Sequence, residues 1–158
     1  GHDLTAEQIQ ELTRRWYWPL GMAGAVEPGT REMIAALRDK GLKLGLISNT
    51  FVPDRVLDLH LETIGLLDLI PMRIYSCTLD FRKPDRRIFQ MGLDAMDLDP
   101  ARTMYVGNSL RYDVRGSNRM GMISVLKHRH HRKRGLFVKP DHAIKRLMDL
   151  PAVVEQYL

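Results

Sequence analysis

Four short apolar runs, at 42–47, 72–76, 103–106 and 122–126, are separated from one another by stretches with helical spacing. No other feature constrains the fold as much. The run Leu42–Ile47 is nearly continuous in its hydrophobicity, as expected of a strand buried on both faces. Between and around the runs the periodicity changes to 3.6. A helix is expected over 5–18, with Thr5 as N-cap, Ile9 and Leu12 on its apolar side, and Pro19 just beyond its end. The glycine-rich stretch 21–29 reads as a linker. A second helix begins at Thr30, presents Met33, Ile34 and Leu37 on one face, and stops at Lys40-Gly41. Helices over 53–64, 86–96 and 111–120 follow. Asp85 is placed to cap the 86–96 helix, whose Ile88, Phe89, Gly92, Leu93 and Met96 form a core stripe. A helical tail is expected over 143–157. Strands joined through helices imply an α/β fold with a parallel sheet and right-handed crossovers.

Composition narrows the class further. At 158 residues the chain has the length of one domain, and its 44% hydrophobic and 27% charged residues are ordinary for a soluble protein. No apolar run approaches ~18 residues, so no membrane partner is expected. The start Gly1-His2-Asp3 has neither a basic nor an apolar leader region. A single cysteine, Cys77, cannot form an internal disulfide, which suits a reducing cytoplasm. Cys77 reads as buried filler, since no histidine partner is evident in sequence. Much of the net charge of +5 comes from one run, Lys127 to Arg134, so a nucleic-acid surface is the weaker reading. The run could lie beside a pocket and meet a polyanionic substrate, or be a solvated loop. Its His128, His130 and His131 are interleaved with arginines, which argues against a transition-metal site. Trp16, Tyr17 and Trp18 read as packing residues rather than ligand contacts.

Three segments carry potential chemistry, each at the C-terminal end of a strand or in the loop after it. A serine hydroxyl at Ser48, with backbone N–H groups at a helix start, could hold a phosphoryl oxygen or simply cap the helix. Lys83, in Arg82-Lys83-Pro84-Asp85, could hold an ammonium over the strand ends or be a solvated loop lysine. Gly107-Asn108, with Asp113 five residues on, offers hard oxygen donors suited to Mg²⁺, although Asp113 could equally favour a helix dipole.

The segments LGLISNT, RKPD with its following RRIF, and MYVGNSLRYDVRGSNRMGM together resemble the second, third and fourth motifs of the haloacid dehalogenase superfamily. The resemblance is to the phosphatase branch, with a helical cap inserted after the first strand, and runs from about Glu27 to the C-terminus. Residues 1–25 resemble the end of such a cap and 26–158 its hydrolase core. The resemblance implies a Rossmann-like three-layer sandwich and Mg²⁺-dependent phosphoryl transfer to an aspartate, followed by hydrolysis of the aspartyl-phosphate. It assigns Ser48 and Lys83 to catalysis. Ser48, Asn49 and Lys83 would bind the phosphoryl group of a small phosphorylated substrate, and Asp113 and Asn108 would hold the metal.

Two departures from the family pattern follow from the same residues. Asn108 stands where many members have aspartate. The first motif, Asp-x-Asp after an apolar strand, is absent, because Asp3 is followed by Leu4 and Thr5 with no strand before it. The expectation is the C-terminal part of a longer enzyme, truncated before its nucleophile and inactive alone. Completion would then come from an N-terminal segment or a partner chain. The alternative is a catalytically silent phosphate-binding or regulatory domain. In the family the first strand lies between the strand ending at Ser48 and that ending at Gly107. The expectation is therefore that this strand exists but is not in this chain, or that the strand over 103–106 has closed directly onto the strand over 42–47.

Overall fold

The computed structural model describes residues 3–24, 26–127 and 138–158. Its elements are helix α1 (Ala6–Ala23), α2 (Thr30–Asp39), strand β1 (Gly45–Ser48), α3 (Asp54–Thr63), β2 (Met72–Tyr75), α4 (Arg86–Met96), β3 (Met104–Gly107), α5 (Arg115–Met120), β4 (Ile123–Lys127), β5 (His142–Ile144) and α6 (Leu150–Val154). The fold is α/β, and every strand pair is parallel. Gly45–Ser48 runs in register with Met72–Tyr75, Met104–Gly107 with Ile123–Leu126, and Val125–Lys127 with His142–Ile144.

The single expected sheet is two, β1–β2 and β3–β4–β5. Among the described residues β1 and β3 form no ladder. Their edges nonetheless face each other, because the Tyr105 hydroxyl of β3 donates to the Ile47 carbonyl of β1 at 3.3 Å. Helices on both faces hold the halves together. On one face Met33, Leu37, Val125, Ile144 and Val153 form a buried cluster that gathers Leu44 from one half and Met104 and Val106 from the other. On the opposite face α4 contributes Ile88, Phe89 and Leu93, which gather Ile47 and Ile74 from one half and Tyr105 from the other. Ile88 and Phe89 are fully buried. Burying a side chain of this size stabilises by about 1.5–3 kcal/mol.

Four local expectations need correction. Helix α1 does not stop before Pro19 but runs to Ala23, after the expected Thr5 cap and a capping box with Gln8. Its last turn is held by docking on α3. The Tyr17 hydroxyl bonds the His60 Nδ1 at 2.7 Å, and Gly21 lies so close that a Cβ there would be 2.9 Å from that nitrogen. Strand β1 starts at Gly45 rather than 42, because its partner β2 begins at Met72. It is only half-buried, since the sheet is two strands wide at this point and the flanking helices do not enclose it. The helix expected over 111–120 opens as a wide π turn, Leu110–Val114, before α5 begins. The tail begins with strand β5 rather than helix. The Asp141 carboxylate accepts from the Ser124 N–H and hydroxyl, each at 2.8 Å, and so docks this segment on β4.

Trp16 packs on Phe51 with ring centroids 5.7 Å apart. Lys127, at the end of β4, pairs with Glu27. The rest of the basic run, residues 128–134 with its three histidines, lies outside the described residues. Among those described, no helix is long and apolar enough to cross a membrane.

Candidate active site

The loops that follow β1, β2 and β3 converge, because Asn49, Lys83 and Asp113 come together there. Asn49 follows β1 directly. Its side-chain amide grips the main chain of Lys83 at both ends: Nδ2 donates to the Lys83 carbonyl, and the Lys83 N–H donates to Oδ1, each at 2.9 Å. This two-point clamp fixes the loop before α4, which Asp85 then starts by accepting from the Arg87 N–H.

Held this way, the Lys83 side chain reaches into the seam between the two sheets. Its ammonium donates to Asp113 Oδ1 at 2.8 Å, to the Ile47 carbonyl at 2.9 Å and to the Tyr105 hydroxyl at 3.0 Å. An ammonium has three protons, so this set saturates it. The Lys83 and Asp113 side chains are only 11% and 6% exposed. A buried charge pair of this kind survives because every polar atom in it has a partner.

Asp113 is positioned from the other half. The Asn108 and Ser109 N–H groups donate to its Oδ2 at 3.1 and 2.9 Å. To receive them the carboxylate must fold back over Gly107. Any Cβ on that glycine would lie 2.4 Å from Asp113 Cβ, so only glycine fits. The folded-back carboxylate also explains the π turn. Asp113 N and Val114 N both bond the Ser109 carbonyl, and the Ser109 hydroxyl accepts from Tyr112 N. The extra residue this admits brings Asp113 under the loop.

The structure therefore brings together most of the residues singled out in the sequence. Lys83 and Asp113 touch, Asn49 clamps Lys83, and Ser48 sits half-buried between Ile47 and Asn49, both of which bond Lys83. Asn108 is exposed and joins the site through its backbone N–H. Tyr105 and Ser109 escaped the sequence reading. For Tyr105 the available signal was a phenol hydroxyl inside the apolar run, two residues before the glycine turn. Cys77 is half-buried, and burial together with the Asp54 carboxylate pushes its thiol up, which is unlike a nucleophile.

The donor set can be tested for Mg²⁺. Asp113 is the one carboxylate of the cluster described above, with an ammonium on one oxygen and two amides on the other. Among the described residues no group of three or more acidic, histidine or cysteine side chains is close enough to hold a metal ion. These residues do not fit a hard dication by themselves; a second carboxylate would be needed to offset Lys83.

Known proteins share this architecture. The haloacid dehalogenase-like hydrolase domain-containing protein 3 of Bos taurus is 34% identical over 98 residues, 62% of this chain and 38% of that protein. The glyceraldehyde 3-phosphate phosphatase of Methanothermobacter thermautotrophicus is 31% identical over 99 residues, 63% of this chain and 43% of its own length. The chain thus spans about two fifths of either relative. The crystal structure of a HAD phosphatase from Thermococcus onnurineus superposes with a TM-score of 0.75 at 30% identity, covering 96% of this chain and 65% of that one. The sequence pattern of the haloacid dehalogenase-like hydrolases matches residues 1–121. With glycine turn, lysine and aspartate converging at the strand ends and the pattern matched over most of its length, the chain belongs to the haloacid dehalogenase-like hydrolase family.

Proposed function

We propose that the chain is the phosphoryl-binding core of a Mg²⁺-dependent phosphohydrolase acting on a small phosphorylated metabolite through an aspartyl-phosphate. One observation carries this reading: a buried ammonium held at the strand ends by the Ile47 carbonyl, Tyr105 and Asp113. A fixed cation in a poorly solvated site is what stabilises charge on a transferring phosphoryl group, and such preorganised groups are worth about 10²–10³ in rate. Phosphatase activity in the glyceraldehyde 3-phosphate relative agrees with this reading. In the proposed site Ser48 would donate its hydroxyl to a phosphoryl oxygen, and Asn49 would keep Lys83 in place.

The chain's own residues lack two things this chemistry requires. Among the described residues no aspartate is positioned as a nucleophile, and the one carboxylate of the site already accepts from three donors. When bound, Mg²⁺ would offset charge on the phosphoryl oxygens. Its ligands would have to include carboxylates from a segment or partner lying in the seam between β1 and β3. This engagement of Asp113 favours a second reading, a silent phosphate-binding domain, for the chain as it stands.

An assay of the 158-residue chain with an aryl phosphate and Mg²⁺ separates the readings. The expected result is no turnover alone and turnover after fusion to an apolar strand ending in Asp-x-Asp. Turnover by the chain alone that survives Ser48→Ala and is lost in Lys83→Ala would overturn the missing-nucleophile account. No turnover by the fusion, with phosphate binding intact, would favour the silent domain.

A further inference from the structure

Tyr105 belongs to the core by position and to the site by its oxygen. It shares a face of β3 with Gly107, and its ring meets Phe89 edge-on with centroids 5.0 Å apart. A phenylalanine would serve that packing equally well. The hydroxyl does something packing does not require: it accepts from Lys83 Nζ at 3.0 Å and donates to the Ile47 carbonyl at 3.3 Å. A phenol can do both, having one proton and free lone pairs. Burial and then the negative charge of Asp113 push its pKa up, so the oxygen stays protonated.

We infer that Tyr105 is a positioning residue for Lys83, aiming the ammonium from β3 while anchoring it to the main chain of β1. Lys83 has a long, flexible stem, and Asn49 fixes only its backbone. The direction of the ammonium is set by its three acceptors, two of which are neutral. A phosphoryl oxygen entering the site must replace one acceptor. The neutral ones yield before the carboxylate, because bonds between opposite charges are the stronger. The ammonium can turn from the Tyr105 oxygen while the hydroxyl goes on donating to Ile47, so no main-chain partner is lost there and it is the bond that opens. This consequence rests on the phosphohydrolase reading; the positioning itself does not.

Ammonium hydrogen exchange, followed by nitrogen-15 NMR on the 158-residue chain, tests the inference. Lys83 should give a persistent ammonium signal, identified by its loss in Lys83→Gln. Tyr105→Phe should speed its exchange on the order of tenfold, the scale of one bond to a charged group, while the backbone amide spectrum stays folded. An unchanged exchange rate in a folded variant overturns the inference. Should Tyr105→Phe unfold the chain, the unsubstituted protein decides: a nuclear Overhauser contact between the Tyr105 hydroxyl and Lys83 ammonium protons is expected, and its absence overturns the inference. Titration with inorganic phosphate is read separately at the Ser48, Asn49, Asn108 and Ser109 amides. No shift there defeats the phosphate-binding reading and leaves the positioning of Lys83 intact.

Discussion

The two junctions of β3 are built in opposite ways. On one side β3 joins β4 through a full parallel ladder, from Met104 with Ile123 to Gly107 with Leu126. On the other side it faces β1 without a ladder, and side chains make the connection: Tyr105 and Lys83 both bond the Ile47 carbonyl. Where main chains pair, the side chains between sheet and helix can be simple apolar packing, as at fully buried Val125. Where they do not, polar side chains satisfy the main chain, since a buried carbonyl without a partner costs about 1–3 kcal/mol. The candidate site is thus also the fastener of the seam. Binding residues and structural ties coincide on one side of β3 and are separate on the other.

The largest expected effect comes from cutting the fastener. Asp113→Ala leaves the Lys83 ammonium buried without its counter-charge and two amides without their acceptor, a loss of about 3–5 kcal/mol. Set against the 5–15 kcal/mol of a typical domain, that should show as a large fall in the urea midpoint. A fall no larger than that of an exposed control such as Glu62→Ala would mean that the seam does not depend on this pair. Phe89→Ala should come next. Phe89 is fully buried, reaches Tyr105 across the seam and belongs to the cluster holding Ile47. The expected cost is about 3–4 kcal/mol, and calorimetry should show one cooperative transition. Two separated transitions would instead show the halves melting independently. Asn49→Ala removes both clamps on the Lys83 main chain, for an expected loss of about 1–3 kcal/mol. It should also raise the Lys83 ammonium exchange rate, and unaltered exchange would show that the clamp does not help to aim the side chain.

The two sides of β3 also differ in how far the sequence foretold them. Helix α4 was legible residue by residue, because Asp85, the core stripe and the boundaries all obey local rules. The meeting of Lys83 and Asp113 was legible too, since strand ends collect loops whatever lies between the strands. Less was visible where a non-local partner decides. Residues 42–44 alternate Leu-Lys-Leu as a strand can, but β2 begins too late to pair with them. β5 has only three residues and owes its place to Asp141 and Ser124, distant in sequence. The role of Tyr105 depends on the Ile47 carbonyl across the seam, which periodicity does not reveal.

The smallest effect sharpens the comparison from the laddered side. The Asp141 carboxylate closes the β4–β5 edge, and its pKa is held below the usual carboxylate range, first by the Ser124 N–H and then by the Ser124 hydroxyl, against an opposing effect of burial. A carboxylate depressed in the folded state binds its proton more readily when unfolded, so stability rises with pH across the window between the two values. The contribution is complete above the unfolded pKa, near 3.9, and drains away as pH falls through the lower folded value. Asp141 is exposed, so solvent screening keeps the effect modest. Urea midpoints measured between neutral pH and pH 3 should therefore decline less steeply for Asp141→Asn than for the unsubstituted chain. Most of the loss should be local, seen as faster amide exchange in His142–Ile144 with β3 and the seam unchanged. Equal acid slopes for the two proteins would show that the edge is held by its three-residue ladder alone, and that a side-chain tie matters only where the ladder is missing.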